Sequence, residues 1–476
     1  MSTSLKQILV TGGIFFVLNM ESHCSEVSAP QRWSVVETAR DNGHLLTDLN
    51  STEIAGTARS GTTIVCELNQ PCQEMFGFGG ALTESAAWAL AQLPSEARRD
   101  VLRKYFDPKE GIGYTVCRTH INSCDFSLST WALDETPGDV ELKDFTLEPM
   151  RKWLLPLIRD VHDIVGSTDF RLLASPWSPP AWMKTNGQMT QGGALRPEYR
   201  DAWARYYVRF VRAMEREEHI GVWALTVQNE PEAKQTWESC LYTPEEERDF
   251  IRDHLGPTLA KEGLDAVRLL AWDHNRDRLD ARAAAIFGDQ KASAFVWGAA
   301  LHWYVSDDFA ASSRVHAAYP DKHIFFTEGC LESGAKLGQW DRGERYAHQM
   351  IGDFRNWVCG WLDWNIALDI HGGPNHVGNF CDAPVLIDGP NAKVNYQNSF
   401  YYIAHFSRYV KPGARRIVSN GGPAALESVA FLNSDKTLVV VVMNPSDSPA
   451  EFSIGTDDGT IRCSIPPHAI QTYLRG

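Results

Sequence analysis

The sequence predicts a (β/α)8 TIM barrel flanked by an antiparallel β-sandwich that the N- and C-terminal strands build together. Three observations point there. Eight apolar runs follow one another between residues 76 and 366, most of them separated by helical stretches, the order of a parallel sheet. Two of these runs end on glutamates, Glu230 in Val227-Gln228-Asn229-Glu230-Pro231 and Glu328 in Phe325-Phe326-Thr327-Glu328-Gly329. About 100 residues separate the two, room for three βα units of roughly 30 residues in a barrel of ~250. After Lys411-Pro412-Gly413 the pattern changes to short strands divided by Asn, Asp, Ser, Gly and Pro.

Residues 1–29 resemble a signal peptide: Lys6, then apolar stretches at 8–10 and 14–18 interrupted by Thr11-Gly12-Gly13. The stretch is too short and broken for a membrane span. Export is therefore expected, to the periplasm or the medium, or to a lysosome-like compartment in a eukaryote. Residues 30–73 read as strands that join the β-sandwich. The barrel occupies 74–405, with strands expected at 76–83, 114–121, 170–177, 222–228, 267–272, 296–304, 323–327 and 361–366. Its clearest helices are 95–105, 196–218 and 243–262. The last opens on Thr243-Pro244-Glu245-Glu246, a capping box with proline at the first helical position. Residues 406–476 hold strands at 428–432, 437–444, 451–454, 461–465 and 470–474. Alone they would make a small core, so they are expected to share one with the N-terminal strands.

Composition narrows the partners. An apolar share of 43% with 22% charged residues is ordinary for a globular chain, and a net charge of −15 argues against nucleic acid or anionic membrane. Sixteen Trp suit sugar stacking, though most are expected in the core. Ten Cys form no disulfide framework. Cys117, Cys124, Cys330, Cys359 and Cys381 sit in or beside strands as buried thiols, and Cys66 with Cys72 is the one pair near enough in sequence to invite a bridge. The one Asn-x-Ser/Thr acceptor noted is Asn50-Ser51-Thr52. No Cys-x-x-Cys, His-Glu-x-x-His or Asp-rich loop is present, and His371 and His376 find no third ligand, so neither metal nor cofactor is expected.

A parallel barrel gathers the C-terminal ends of its strands on one face. Carboxyls that close the fourth and seventh strands then face one pocket, and two such acids are what hydrolysis of a glycosidic bond needs. One glutamate at a strand end is more often a solvated rim residue; the pair at this separation is the signal. Other strands end in groups a sugar could use: Asp125 after the second, Trp177 at the third, Asn229 at the fourth, His302-Trp303-Tyr304 at the sixth and Trp364-Asn365 at the eighth.

Trp177-Ser178-Pro179-Pro180, Asn229-Glu230-Pro231, His302-Trp303-Tyr304, Thr327-Glu328 and Asp363-Trp364-Asn365 resemble glycoside hydrolase family 30. Gly111-Ile112-Gly113-Tyr114, Ser123-Cys124-Asp125-Phe126-Ser127, Leu172 to Trp177, Trp340-Asp341-Arg342-Gly343 and Gly372-Gly373-Pro374-Asn375 are similar to its glucosylceramidase branch. The likeness runs from about residue 32 to the C-terminus. It implies a retaining double displacement in which Glu328 is the nucleophile and Glu230 the acid/base, the first ionised and the second with a raised pKa. It also implies that Asn229 meets the sugar 2-hydroxyl, that Asp125, Trp177, Trp364 and Asn379 hold the others, and that Tyr304 orients Glu328. Arg118 would either steady the carboxylates or serve as a buried ion pair, and His302 would support from behind. The implied substrate is a β-glucoside, above all a glycosphingolipid such as glucosylceramide. Transient contact with a lipid surface would use an apolar entrance drawn from Trp237, Tyr242, Phe309, Trp340 and Tyr304. Gln228, His371, His376 and the loop 305–314 depart from the animal members, all on the aglycone side. The other readings are a β-xylosidase, an endo-β-1,6-glucanase, or a non-catalytic sugar-binding protein.

Overall fold

The computed structural model describes residues 33–52 and 62–476. The signal-like segment and Cys24 lie outside the described residues, as does the side chain of Asn50. Eight parallel strands close into a barrel: Gly77–Ala81, Val116–Ile121, Arg171–Pro176, Val222–Thr226, Arg268–Asn275, Gly298–His302, His323–Glu328 and Val358–Asn365. We number them barrel strands one to eight. Each falls on one of the eight apolar runs. Most of their residues are buried, as expected for parallel strands covered by helices outside and filled by side chains inside. Strands one and two approach so closely that a Cβ at Gly79 would sit 1.4 Å from the Val116 carbonyl oxygen; only glycine fits there.

The barrel interior is layered. Val116, Leu173, Ala224, Leu270, Ala300, Phe325, Cys359 and Leu362 pack across its middle, and Phe76, Trp223 and Trp297 close the end from which the strands start. The opposite mouth, where the strands end, is where a barrel of this kind gathers its functional side chains. Outside, helix Arg200–Glu217 turns Trp203, Tyr206, Tyr207, Phe210, Val211 and Met214 inward at helical spacing. The helix expected over 243–262 is capped as its sequence predicts, with the Thr243 hydroxyl accepting from the Glu246 N–H at 3.1 Å and the Glu246 carboxylate accepting from the Thr243 N–H at 2.8 Å. Its middle, Ile251–Leu255, widens into a π turn just before Gly256 and Pro257, where proline's missing N–H interrupts the regular ladder.

The second unit is a nine-stranded sheet. Its order is Gly459–Ile465, Ala450–Thr456, Thr63–Glu74, Arg415–Gly421, Glu427–Leu432, Leu438–Asn444, Ala469–Arg475, Trp33–Ala39 and His44–Thr52. N- and C-terminal strands thus interleave around one core of Trp33, Val35, Ile64, Ile417, Val440, Phe452, Ile461 and Tyr473. Two features depart from the sequence reading. Strand Arg415–Gly421 was not anticipated, because its residues are mostly polar and only Ile417 and Val418 mark it as β. The pairing of Ala450–Thr456 with Thr63–Glu74 is parallel in an otherwise antiparallel sheet. Cys66 and Cys72 do not bridge: both are free on strand Thr63–Glu74. Extended backbone holds two residues six apart roughly 20 Å from each other, beyond disulfide reach.

Polar joints tie the two units. His405 meets Thr472 at 2.8 Å and Thr38 at 3.0 Å. His348, on helix Asp341–Arg355, meets Glu427 at 2.8 Å, with Asp307 and Arg345 also facing it. The hydrogen bond to Glu427 raises the His348 pKa. Stability from this joint is therefore fully present below the unfolded value near 6.5 and lost as pH rises through the higher folded value. Since the His348 side chain is 35% exposed, the joint should contribute only a few tenths of a kcal/mol. The difference in melting temperature between the native chain and His348→Gln is expected to shrink from pH 5.5 to 8.5, a shift measurable by calorimetry.

Candidate active site

The strand ends place the functional side chains at the barrel mouth. A cavity of about 150 Å³ there is lined by Asp125, Trp177, Asn229, Glu230, Tyr304, Glu328, Trp364 and Asn379, together with Gln235, Trp237, His274, Asn275, Cys330, Glu332 and Cys381. All eight residues expected to meet substrate or perform chemistry thus share one pocket. Arg118 and His302 lie directly beneath them, fully buried.

Arg118 is the hub. Its guanidinium donates to the Glu328 carboxylate, to Asp273 at 2.8 Å, to Asn229 Oδ1 at 2.9 Å and to Ser175 at 3.0 Å. It also lies 4.7 Å from the ring of Trp177, which stacks on Trp364 with centroids 5.2 Å apart. Arg118 is thus a buried ion pair, and one of its partners is Glu328. The Tyr304 hydroxyl donates to the other Glu328 oxygen at 2.9 Å. His302 meets Glu230 through Nδ1 at 3.2 Å and Asp273 through Nε2 at 3.1 Å, and Nε2 is 4.0 Å from Glu328. One imidazole therefore neighbours both glutamates.

Asp273 completes the cluster, accepting also from the hydroxyls of Thr226 at 2.7 Å and Thr327 at 2.6 Å. Burial opposes its charge, but Arg118 and then His302 hold it well below the usual carboxylate range. The sequence reading assigned strand five no role, because its apolar run stops at Trp272. A bulge between Trp272 and His274, with φ of 77° at Trp272 and 52° at Asp273, turns the next residues toward the mouth. Asp273, His274 and Asn275 enter the site that way. A polar triplet following a barrel strand was the available signal.

Glu230 itself has φ 47°, in the left-handed region where side chains other than glycine are strained. Backbone hydrogen bonds hold it there: the Glu230 N–H donates to the Asp273 carbonyl at 3.0 Å, and the Asn229 N–H to Pro176 at 2.8 Å. Gln228, one of the departures from the animal members, is buried and donates to the carbonyls of Trp177 and Asn229 at 2.7 and 2.8 Å, so it braces this turn from behind. His376 is not a free loop histidine. It bonds the Ser127 carbonyl at 2.9 Å and lies 3.3 Å from buried Glu238, which fastens the loop carrying Asn379.

The surroundings of Glu230 push its pKa in the direction opposite to the one the resemblance implies. Burial opposes the Glu230 charge, but His302 and then His274 hold its pKa below the ordinary value. Burial, with the Glu230 charge adding to it against His302 and Arg118, keeps Glu328 above its own. Burial also opposes the charge of His302, yet Glu328, Asp273 and Glu230 raise it to about 9. His302 Nδ1 is the group that meets Glu230 Oε1, at 3.2 Å. Asp125, expected as a charged acceptor, is pushed up to about 8 by burial and by Glu328.

A model of the Glycosyl hydrolase family 30 TIM-barrel domain matches residues 75–410, and one of the family 30 beta sandwich domain matches 413–473. The chain belongs to glycoside hydrolase family 30. Lysosomal acid glucosylceramidase of Mus musculus is 36% identical over 439 residues, covering 87% of this chain and 84% of that one. SrfJ from Salmonella typhimurium superposes with a TM-score of 0.89 at 34% identity, over 93% of this chain and 99% of that one. The endo-beta1,6-glucanase BT3312 superposes with a TM-score of 0.84 at 28% identity, over 93% and 98%. A family 30 glycoside hydrolase acts on a glycoside, and the barrel mouth described above is where the strand ends of this one converge.

Proposed function

We propose that the protein is a retaining β-glucosidase whose preferred substrates are glucosylceramide and related apolar β-glucosides. The observation that carries this reading is the shared pocket: a buried Glu328 and a part-buried Glu230 face one cavity whose remaining wall is a set of groups suited to sugar hydroxyls and rings. In the first step Glu328 attacks the anomeric carbon, the bond from that carbon to the aglycone oxygen breaks, and Glu230 delivers a proton to the departing oxygen. That proton comes through the 3.2 Å contact with His302. In the second step Glu230 takes a proton from water and returns it through His302, while the water oxygen attacks the glucosyl-enzyme, breaks the bond to Glu328 and leaves the sugar with its anomeric configuration retained.

The surroundings support each role. Arg118 fixes Asn229 Oδ1, which leaves the amide NH2 to meet the sugar. Asp125 has one oxygen held by Asn379 at 2.9 Å and the other buried without a partner, an acceptor suited to a sugar hydroxyl. Binding such a donor would favour the ionised form of Asp125. The apolar aglycone is supported by the mouth loops. Val305, Leu337 and Phe380 follow strands six, seven and eight and are 65%, 56% and 45% exposed, the largest outward apolar side chains on those loops. Such exposure is suited to a lipid chain or a lipid surface.

A substrate panel tests the reading. Fluorescent glucosylceramide in detergent micelles should be hydrolysed with a kcat/KM at least tenfold above that for β-xylosides or β-1,6-glucan, and NMR of the first product should show β-glucose. Cleavage of β-1,6-glucan without glucosylceramide hydrolysis would assign the specificity of the 28%-identical glucanase instead.

A further inference from the structure

We propose that Glu230, His274 and His302 form a three-ligand site for a divalent transition-metal ion such as Zn²⁺, and that its occupancy blocks hydrolysis. One ligand atom from each residue lies within 4.8 Å of the other two. The Glu230 carboxylate oxygen is 3.2 Å from His302 Nδ1 and 3.7 Å from His274 Nδ1. Around a tetrahedral zinc with bonds of about 2.0–2.1 Å, ligand atoms sit about 3.3 Å apart, so small side-chain shifts complete the set.

Three further features argue for a metal over a coincidence of polar groups. His274 Nδ1 is buried and has no hydrogen-bond partner, although its ring packs on Trp272 and lines the cavity. The bulge that turns His274 toward Glu230 leaves this nitrogen with nothing else to bind. His302 presents Nδ1 to the cluster while Nε2 faces the Asp273 carboxylate at 3.1 Å, the carboxylate–histidine–metal arrangement that fixes the tautomer and orients the ring. The third face opens on the cavity beside Gln235 and Trp237, which leaves a fourth position for water. Two imidazoles and one carboxylate select zinc, copper(II), nickel or cobalt over calcium and magnesium.

Inhibition follows from the ligand set. A metal on Glu230 takes the oxygen that would carry the proton and the His302 nitrogen that supplies it. The inhibition half of the proposal rests on the glycosidase reading; the binding half does not. Two measurements keep them apart. Titration of the full chain with Co²⁺ should give visible ligand-field bands at one equivalent, which Zn²⁺ displaces and EDTA abolishes. The bands should persist in Glu328→Gln, which keeps all three ligands whatever its activity. In parallel, Zn²⁺ should inhibit hydrolysis of an alkyl β-glucoside, whose leaving group needs the proton, reversibly, and His274→Asn should raise the inhibition constant at least tenfold. Absence of the bands at one equivalent overturns the site. So does unchanged zinc inhibition in His274→Asn, or a thiolate-to-cobalt charge-transfer band, which would place the metal on Cys330 and Cys381.

Discussion

Glu328→Gln is expected to lower kcat on order of 10⁴- to 10⁶-fold, the range seen when a residue that forms the covalent intermediate is removed. The change is nearly isosteric, so Tyr304 keeps a partner, and the loss falls on the negative charge that attacks the anomeric carbon. Glu230→Gln should behave differently. An aryl glucoside with a good leaving group needs little proton delivery, so its first step should lose little. A glucosylceramide-like alkoxide needs the full contribution of general acid catalysis and should lose about 10²- to 10⁴-fold. Small external anions give a second contrast. Azide should rescue Glu230→Gln and yield the β-glucosyl azide, because the glucosyl-enzyme still forms. Rescue of a smaller analogue, Glu328→Gly, should yield the α-azide by attack from the emptied side. Normal turnover of an aryl glucoside by Glu328→Gln would sink the assignment of roles.

The barrel was readable because its strands are buried on both faces, which makes most of them near-continuous apolar runs; strand two, with Arg118, Thr119 and His120 at its centre, is the exception. The glutamates were readable because a parallel barrel converts position at a strand end into position in a pocket. What escaped is instructive. Asp273 and His274 follow an apolar run like Glu230 and Glu328 do, but they reach the site through a bulge, and a bulge has no periodicity to detect. Strand Arg415–Gly421 escaped because it presents few apolar residues and is held by pairing with Thr63–Glu74 and Glu427–Leu432, a long-range fact no local pattern carries. The charge contacts of the two glutamates escaped for a similar reason. Residue identity names two glutamates; it does not say that one histidine touches both, or that Arg118 presses on one and not the other.

Arg118→Met should be the most destabilising single change in the site. Arg118 and Asp273 are both fully buried, at 0% side-chain exposure. Methionine fills much of the volume and keeps contact with Trp177, but it leaves Asp273, Glu328 and Asn229 Oδ1 without their shared donor. Removing one partner of a buried pair typically costs about 3–5 kcal/mol, because the remaining charge has no solvent to turn to. Chemical denaturation of the native chain and Arg118→Met should find a loss in that range. Arg118→Lys should recover part of the stability, since an ammonium can serve one carboxylate but not three acceptors and a serine in one plane. The double variant Arg118→Met/Asp273→Leu removes both charges and should be more stable than Arg118→Met alone, yet no more active. That separation is the informative outcome. Stability restored without activity would mean that Arg118 acts on Glu328 as well as on the fold, whereas activity restored with stability would reduce it to a structural ion pair.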